Sequence, residues 1–136
     1  MIAISPRRRR TGRVTPGDVG KALYLELMKR CLTNWIHAEA GEDGFDPEVR
    51  VDGRDWPPPR GAHTMIGLKR LDNLHECIED VLRRKVPGDL IETGVWRGGA
   101  TIFMRAVLKA YGVRHRRVWV VDSFAGLPPP QQPVSS

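Results

Sequence analysis

The sequence predicts an α/β fold whose sheet is incomplete, and three observations predict it. Two stretches with helical hydrophobic spacing come first, over 22–37 and 64–85. A short apolar run at Leu90-Ile91 then enters a glycine turn and a third helical stretch, Ala100 to Tyr111. A β-branched and aromatic run, "RRVWVVD", closes the pattern at Asp122. Strand, helix and strand fit within the 34 residues from Asp89 to Asp122. That spacing is a βαβ unit, with parallel pairing and a right-handed crossover.

Each element rests on its own residues. The first helix, "ALYLELMKRCLTNWIH", places Leu23, Leu27, Met28, Cys31, Leu32, Trp35 and Ile36 at three- and four-residue spacing, an apolar stripe. The second, Thr64 to Lys85, gathers Leu68, Leu71, Leu74, Ile78, Val81 and Leu82 on one face and is stopped by Pro87-Gly88. Gly112 is placed to cap the third. Between the first two helices, residues 38–62 form a long acidic and then proline-rich loop of the kind often found as a lid. The expected organisation is a disordered basic lead-in over 1–21, one truncated domain over 22–130, and a disordered tail over 131–136.

Composition excludes several classes. The chain has 136 residues and a net charge of +6. Residues 1–21 carry six basic side chains against Asp18, which is +5, so everything after Lys21 amounts to +1. The basic excess belongs to the lead-in, with its Arg7–Arg10 run, and reads as a solvated arm. It lacks the aromatic interleaving of a nucleic-acid surface, so no nucleic-acid partner is expected. Cys31 and Cys77 lie far apart inside helical patterns, without metal-ligand spacing, and read as buried free thiols of a reducing cytoplasm. His37, His63, His75 and His115 show no metal spacing either and read as surface or satisfied histidines. No apolar run approaches the roughly 18 residues of a membrane span, and "TGRVTPGDVG" after the arginines fits no secretory signal. A cytoplasmic protein without a membrane partner is expected.

The glycine turn, "ETGVWRGGA", carries the chemistry. Its G-x-x-x-G-G spacing (Gly94, Gly98, Gly99) differs from the G-x-G-x-x-G of dinucleotide folds. Ligands of open α/β sheets sit beyond the carboxyl ends of the strands, where Glu92 ends one strand and Asp122 the other. A glycine-rich helix entry lets backbone N–H groups approach a ligand closely. S-adenosylmethionine would present a carboxylate to those N–H groups and an ammonium to Glu92. Asp122, 28 residues beyond Gly94, is placed to accept from two ribose hydroxyls. Arg97 either pairs with a ligand carboxylate or faces solvent. Trp96 either shapes the pocket or caps the core.

Taken together, "LYLELMKRCLTNWI", "GRDWP", "AHTMIGLKRLDNL", "PGDLIETGVWRGGATIFMRAVLKAYG" and "VWVVDSFAGLPPP" resemble the macrocin O-methyltransferase family, over Leu23 to Pro130. That family comprises S-adenosylmethionine- and Mg²⁺-dependent sugar O-methyltransferases of macrolide antibiotic biosynthesis. The resemblance implies the N-terminal part of a Rossmann-like methyltransferase fold, acting in the parent enzyme on a glycosylated small molecule. It maps cofactor contacts to Thr64, Met65, Glu92, Thr93, Gly94, Val95, Trp96, Asp122, Ser123, Phe124, Ala125 and Gly126. It also implies in-line transfer of methyl to a sugar hydroxyl, with a carboxylate as base and metal-held sugar oxygens.

The departure from the family is the expected absence of its downstream acids. No Asp or Glu follows Asp122, and "QQPVSS" does not look like the family's continuation. Neither catalytic residues nor metal ligands are therefore assigned. The acids of 39–55 read as solvated charge. The expected function is an N-terminal fragment of such an enzyme, from truncation, a frameshift or a split coding region, inactive alone and marginally stable. The alternative is a cofactor-binding or assembly module docking on a full-length relative, with a homo-oligomer or companion chain as partner. A nicotinamide oxidoreductase is disfavoured by the glycine spacing.

Overall fold

The computed structural model describes residues 15–36, 51 and 61–126. The Arg7–Arg10 run, the acidic part of the long loop and the tail after Gly126 lie outside the described residues.

The first helix, α1 (Pro16–Leu32), begins six residues before Ala22, which corrects the lead-in expected over 1–21. The reason is a reciprocal cap. The Thr15 hydroxyl accepts from the Asp18 N–H at 3.2 Å, and the Asp18 carboxylate accepts from the Thr15 N–H at 3.2 Å. Pro16 sits in the first turn, where its missing N–H costs nothing. The buried face is also rotated from the expected stripe. Leu25, Lys29 and Leu32 are buried, whereas Leu23 and Leu27 are 66% and 53% exposed. Lys29 belongs to that face because its ammonium lies over the Phe103 ring, 5.8 Å from the centroid, and reaches Asp72 at 2.5 Å while the rest of the side chain is buried.

The second helix, α2 (Leu68–Arg83), buries Leu71 and Ile78. Strand β1 (Leu90–Thr93), helix α3 (Gly99–Ala110) and strand β2 (Val118–Val121) complete the βαβ unit. The two strands pair in parallel, with Leu90 opposite Val118 and Thr93 opposite Val121. Helix α3 ends as expected at Gly112, whose N–H donates to the Lys109 carbonyl at 3.0 Å. The next N–H, of Val113, reaches back to Leu108 at 2.8 Å. Asp89 fastens the strand starts by accepting from the Arg117 N–H and the Trp119 indole N–H, both at 2.9 Å.

Helix α3 is the hub and packs on every other element. Its Phe103, Val107 and Leu108, with Leu71 of α2, are fully buried. Cys77 corrects the buried-thiol reading, because it is exposed on α2 one position before buried Ile78. Cys31 is half-buried, and both thiols are free. His75 is partly buried between Phe103 and Tyr111, with its Nε2 3.3 Å from the Tyr111 hydroxyl.

Among the described residues, only one face of the sheet is covered. Leu90 and Val118 pack on the helical core. On the other face, Ile91 is 61% exposed, and Trp119 and Val121 are each 50% exposed. No helix among the described residues is long and apolar enough to cross a membrane.

Candidate functional site

The turn after β1 is shaped by two glycines with left-handed backbone, Gly94 and Gly98, each at φ 79°. A side chain at Gly94 would meet open space, so glycine is needed there for its dihedral and not for room. Trp96 between them is also left-handed, at φ 51°. The Gly98 N–H donates to the Val95 carbonyl at 2.9 Å, which closes the turn onto the start of α3.

Glu92 and Asp122 stand at neighbouring strand tips. Glu92 lies opposite Val120 in register, and Asp122 directly follows Val121, the last residue of β2. The Glu92 carboxylate accepts from the Thr101 hydroxyl on α3. Asp122 binds the two turns together. Its Oδ2 accepts from the Val95 N–H at 2.6 Å, and its Oδ1 accepts from the Phe124 N–H at 3.0 Å. These amides, Val95 first and then Phe124, hold the Asp122 carboxyl below its ordinary value. The sign follows: the clamp is at full strength above the unfolded value of 3.8 and is lost as pH falls through the lower folded one. A carboxylate has about four acceptor positions, so Glu92 keeps some for further donors, whereas Asp122 also accepts from the Ser123 hydroxyl at 3.5 Å and is more fully engaged.

The other sequence-assigned residues fall into three groups. Thr93, Val95 and Trp96 stay with the first turn, and Ser123, Phe124, Ala125 and Gly126 follow Asp122 in the second. Ser123 accepts from the Ala125 N–H at 3.3 Å. Thr64 and Met65 arrive on the segment before α2. Thr64 is buried, and its hydroxyl accepts from the Ile66 N–H at 3.2 Å. Met65, Trp96 and Phe124 are all exposed, so each of the three segments presents one large apolar side chain.

Sequence reasoning missed what holds the third segment. Arg97 is exposed, as the solvent-facing alternative had it, but it is also partnered within the chain: its Nη1 donates to the Ala62 carbonyl at 3.1 Å, and the guanidinium lies over the Trp96 ring at 4.6 Å. Gly99 admits the chain's own backbone. A Cβ there would lie 2.3 Å from the His63 carbonyl oxygen. The glycine pair 98–99 was the available signal, but it did not say which neighbour required the space.

Among the described residues, no three His, Cys, Asp or Glu side chains converge to hold a metal ion. An open hollow of about 510 Å³ lies at the amino end of the strands, lined by Leu82, Pro87, Tyr111, Val113 and Arg116 among others. It is at the wrong end of the sheet for the strand-tip acids.

The profile of the macrocin-O-methyltransferase (TylF) family matches residues 37–136. The match runs past Pro130 to the last residue, which corrects the reading of "QQPVSS" as foreign to the family. The chain is 60% identical over 114 residues to the 8-demethyl-8-(2,3-dimethoxy-alpha-L-rhamnosyl)-tetracenomycin-C 4'-O-methyltransferase of Streptomyces olivaceus, covering 78% of this chain and 42% of that protein. It is 54% identical over 118 residues to the mycinamicin III 3''-O-methyltransferase of Micromonospora griseorubida, covering 82% and 46%. To the demethyldecarbamoylnovobiocin O-methyltransferase of Streptomyces niveus it is 48% identical over 126 residues, covering 87% and 47%. The structure is similar to that of the O-methyltransferase NovP, with a TM-score of 0.72 at 54% identity, over 79% of this chain and 44% of that one. The chain thus spans less than half the length of the curated relatives it matches. With the strand-tip acids, the glycine turn and these matches in agreement, the chain belongs to the TylF macrocin-O-methyltransferase family.

Proposed function

We propose that these residues are the cofactor-binding N-terminal half of an S-adenosylmethionine-dependent O-methyltransferase of Rossmann-like fold, inactive alone. Its substrate would be a sugar hydroxyl of a macrolide or related natural product. The observation that carries the reading is the pair Glu92 and Asp122 at neighbouring strand tips, with Asp122 tied to the turn that follows Glu92 through the Val95 N–H. S-adenosylmethionine bound there supplies a methyl group activated on a sulfonium. Glu92 opposes its ammonium, and Asp122 accepts from its ribose hydroxyls while keeping the two turns together. Backbone N–H groups at the start of α3 meet its carboxylate. Thr64, Met65, Thr93, Gly94, Val95, Trp96, Ser123, Phe124, Ala125 and Gly126 line the remainder. No described side chain is assigned as the base that takes the sugar hydroxyl's proton.

Titration with S-adenosylhomocysteine, followed by calorimetry, tests this reading. Saturable binding that weakens about tenfold or more in Glu92→Gln is expected, as for loss of a charge-assisted contact. A folded chain that binds neither this ligand nor its parent would sink it, and stronger binding of a nicotinamide cofactor would replace it. Incubation with labelled methyl donor, Mg²⁺ and a demethylated macrolide is expected to give no product; turnover would place the catalytic carboxylates within this chain.

A second reading, an assembly module docking on a full-length relative, is favoured by the open apolar face at Ile91, Trp119 and Val121. Co-purification with an intact relative that Trp119→Lys abolishes would support it.

A further inference from the structure

The segment from Gly61 to Gly67 reaches the site from outside the βαβ unit, and three contacts fix its place. The His63 N–H donates to the Leu32 carbonyl at 2.8 Å, which stitches the segment to the end of α1. Arg97 donates to the Ala62 carbonyl at 3.1 Å. Gly99 leaves the space that the backbone occupies, since a Cβ there would come within 2.3 Å of the His63 carbonyl oxygen and 2.5 Å of the Thr64 Cβ. The junction is dry, with Ala62 1% and Thr64 7% exposed.

The close contact at Gly99 is with backbone, which cannot swing aside as the end of a side chain can. A methyl group there must displace either the 62–64 segment or the first turn of α3. Arg97 adds a directional tie from the glycine turn to the same segment. Because the guanidinium also lies over Trp96, one side chain touches both the segment that carries Met65 and the exposed aromatic ring of the turn.

Resting on the methyl-donor reading of this turn, we propose that Arg97 and Gly99 are positioning residues. They dock Ala62–Thr64 on the first turn of α3, so that the segment carrying Met65 and the turn carrying Trp96 form one preformed rim around the donor. Neither residue touches the reacting atoms. Their contribution is to order the rim before the ligand arrives, which removes an ordering cost from binding.

Two readouts on the whole chain test this: amide hydrogen exchange at His63, and calorimetric affinity for S-adenosylhomocysteine. Arg97→Ala should speed His63 exchange and weaken affinity together, each by about tenfold, the scale of one lost charge-assisted hydrogen bond. Arg97→Lys keeps a donor without the fork and should restore part of both. Gly99→Ala should move both in the same direction and further. Should it fail to fold, the exposed Arg97 supplies variants that keep the helices intact, as far-ultraviolet circular dichroism would verify. Faster exchange with wild-type affinity would overturn the proposal, because the docked segment would then have no part in binding. Weaker affinity with unchanged exchange would overturn it too, by making Arg97 a direct ligand contact. If the wild-type chain shows no saturable binding, the donor reading itself falls and takes this proposal with it; wild-type binding unchanged in both arginine variants defeats the positioning role alone.

Discussion

The two faces of the small sheet differ sharply although the same two strands make both. On the helix side, Leu90 and Val118 are partly buried against the core that holds Phe103, Val107 and Leu108, and only Val120, nearer the strand tips, is left 42% exposed. On the other side Ile91, Trp119 and Val121 stand half or more exposed. Strands of parallel sheets are ordinarily covered on both faces and read as continuous apolar runs. "VWVV" is such a run, so its composition is suited to a second layer that the described residues do not supply. The difference teaches that the composition of a strand and its exposure are separate records: the first fits cover on both faces, and the second shows cover on one among the described residues.

Substitutions on the two faces sharpen that contrast, beginning where the effect is greatest. Phe103→Ala removes the largest fully buried side chain and should cost about 3–5 kcal/mol, enough to unfold a marginal domain, as denaturant titration would show. Lys29→Ala should cost less, about 1–2 kcal/mol. It strips the buried stem from the α1 face, while Asp72, 56% exposed, returns to water. His75 gives a smaller and pH-dependent effect. Burial, and then Lys29, push its imidazole below the ordinary 6.5, so the unfolded chain binds the proton more readily. Stability should therefore be full above pH 6.5 and decline as pH falls below it, a slope that His75→Phe should flatten in melts at several pH values. On the open face, Val121→Thr should change stability by no more than about 0.5 kcal/mol in this chain. A large loss there would mean that the face is covered after all.

Much of the βαβ unit was legible because its signals are local. The β-branched run, the switch of period and Gly112 all act within a few residues, and the parallel pairing followed from the spacing. The start of α1 was misread because Pro16, Gly17 and Gly20 look like breakers, while the Thr15–Asp18 cap that overrides them needs only two side chains. Its face was misread because Leu23 and Leu27 dominate any hydrophobic pattern, whereas burial of Lys29 depends on Phe103 and Asp72, which are distant in sequence. At the site, the strand-tip acids were readable from position alone. The bond from Arg97 to Ala62 and the contact between Gly99 and His63 join residues about 35 apart, and no periodicity encodes them.

The bond between the His63 N–H and the Leu32 carbonyl has a consequence for how this architecture can vary. It brings together two residues that 30 others separate in the sequence, so Leu32 and His63 meet as the posts of one doorway. Doubling such a detour costs only about 0.6 kcal/mol in closure entropy. Insertions or deletions between those doorposts would therefore meet little entropic penalty, giving natural variation and protein engineers a place to change the length of the chain.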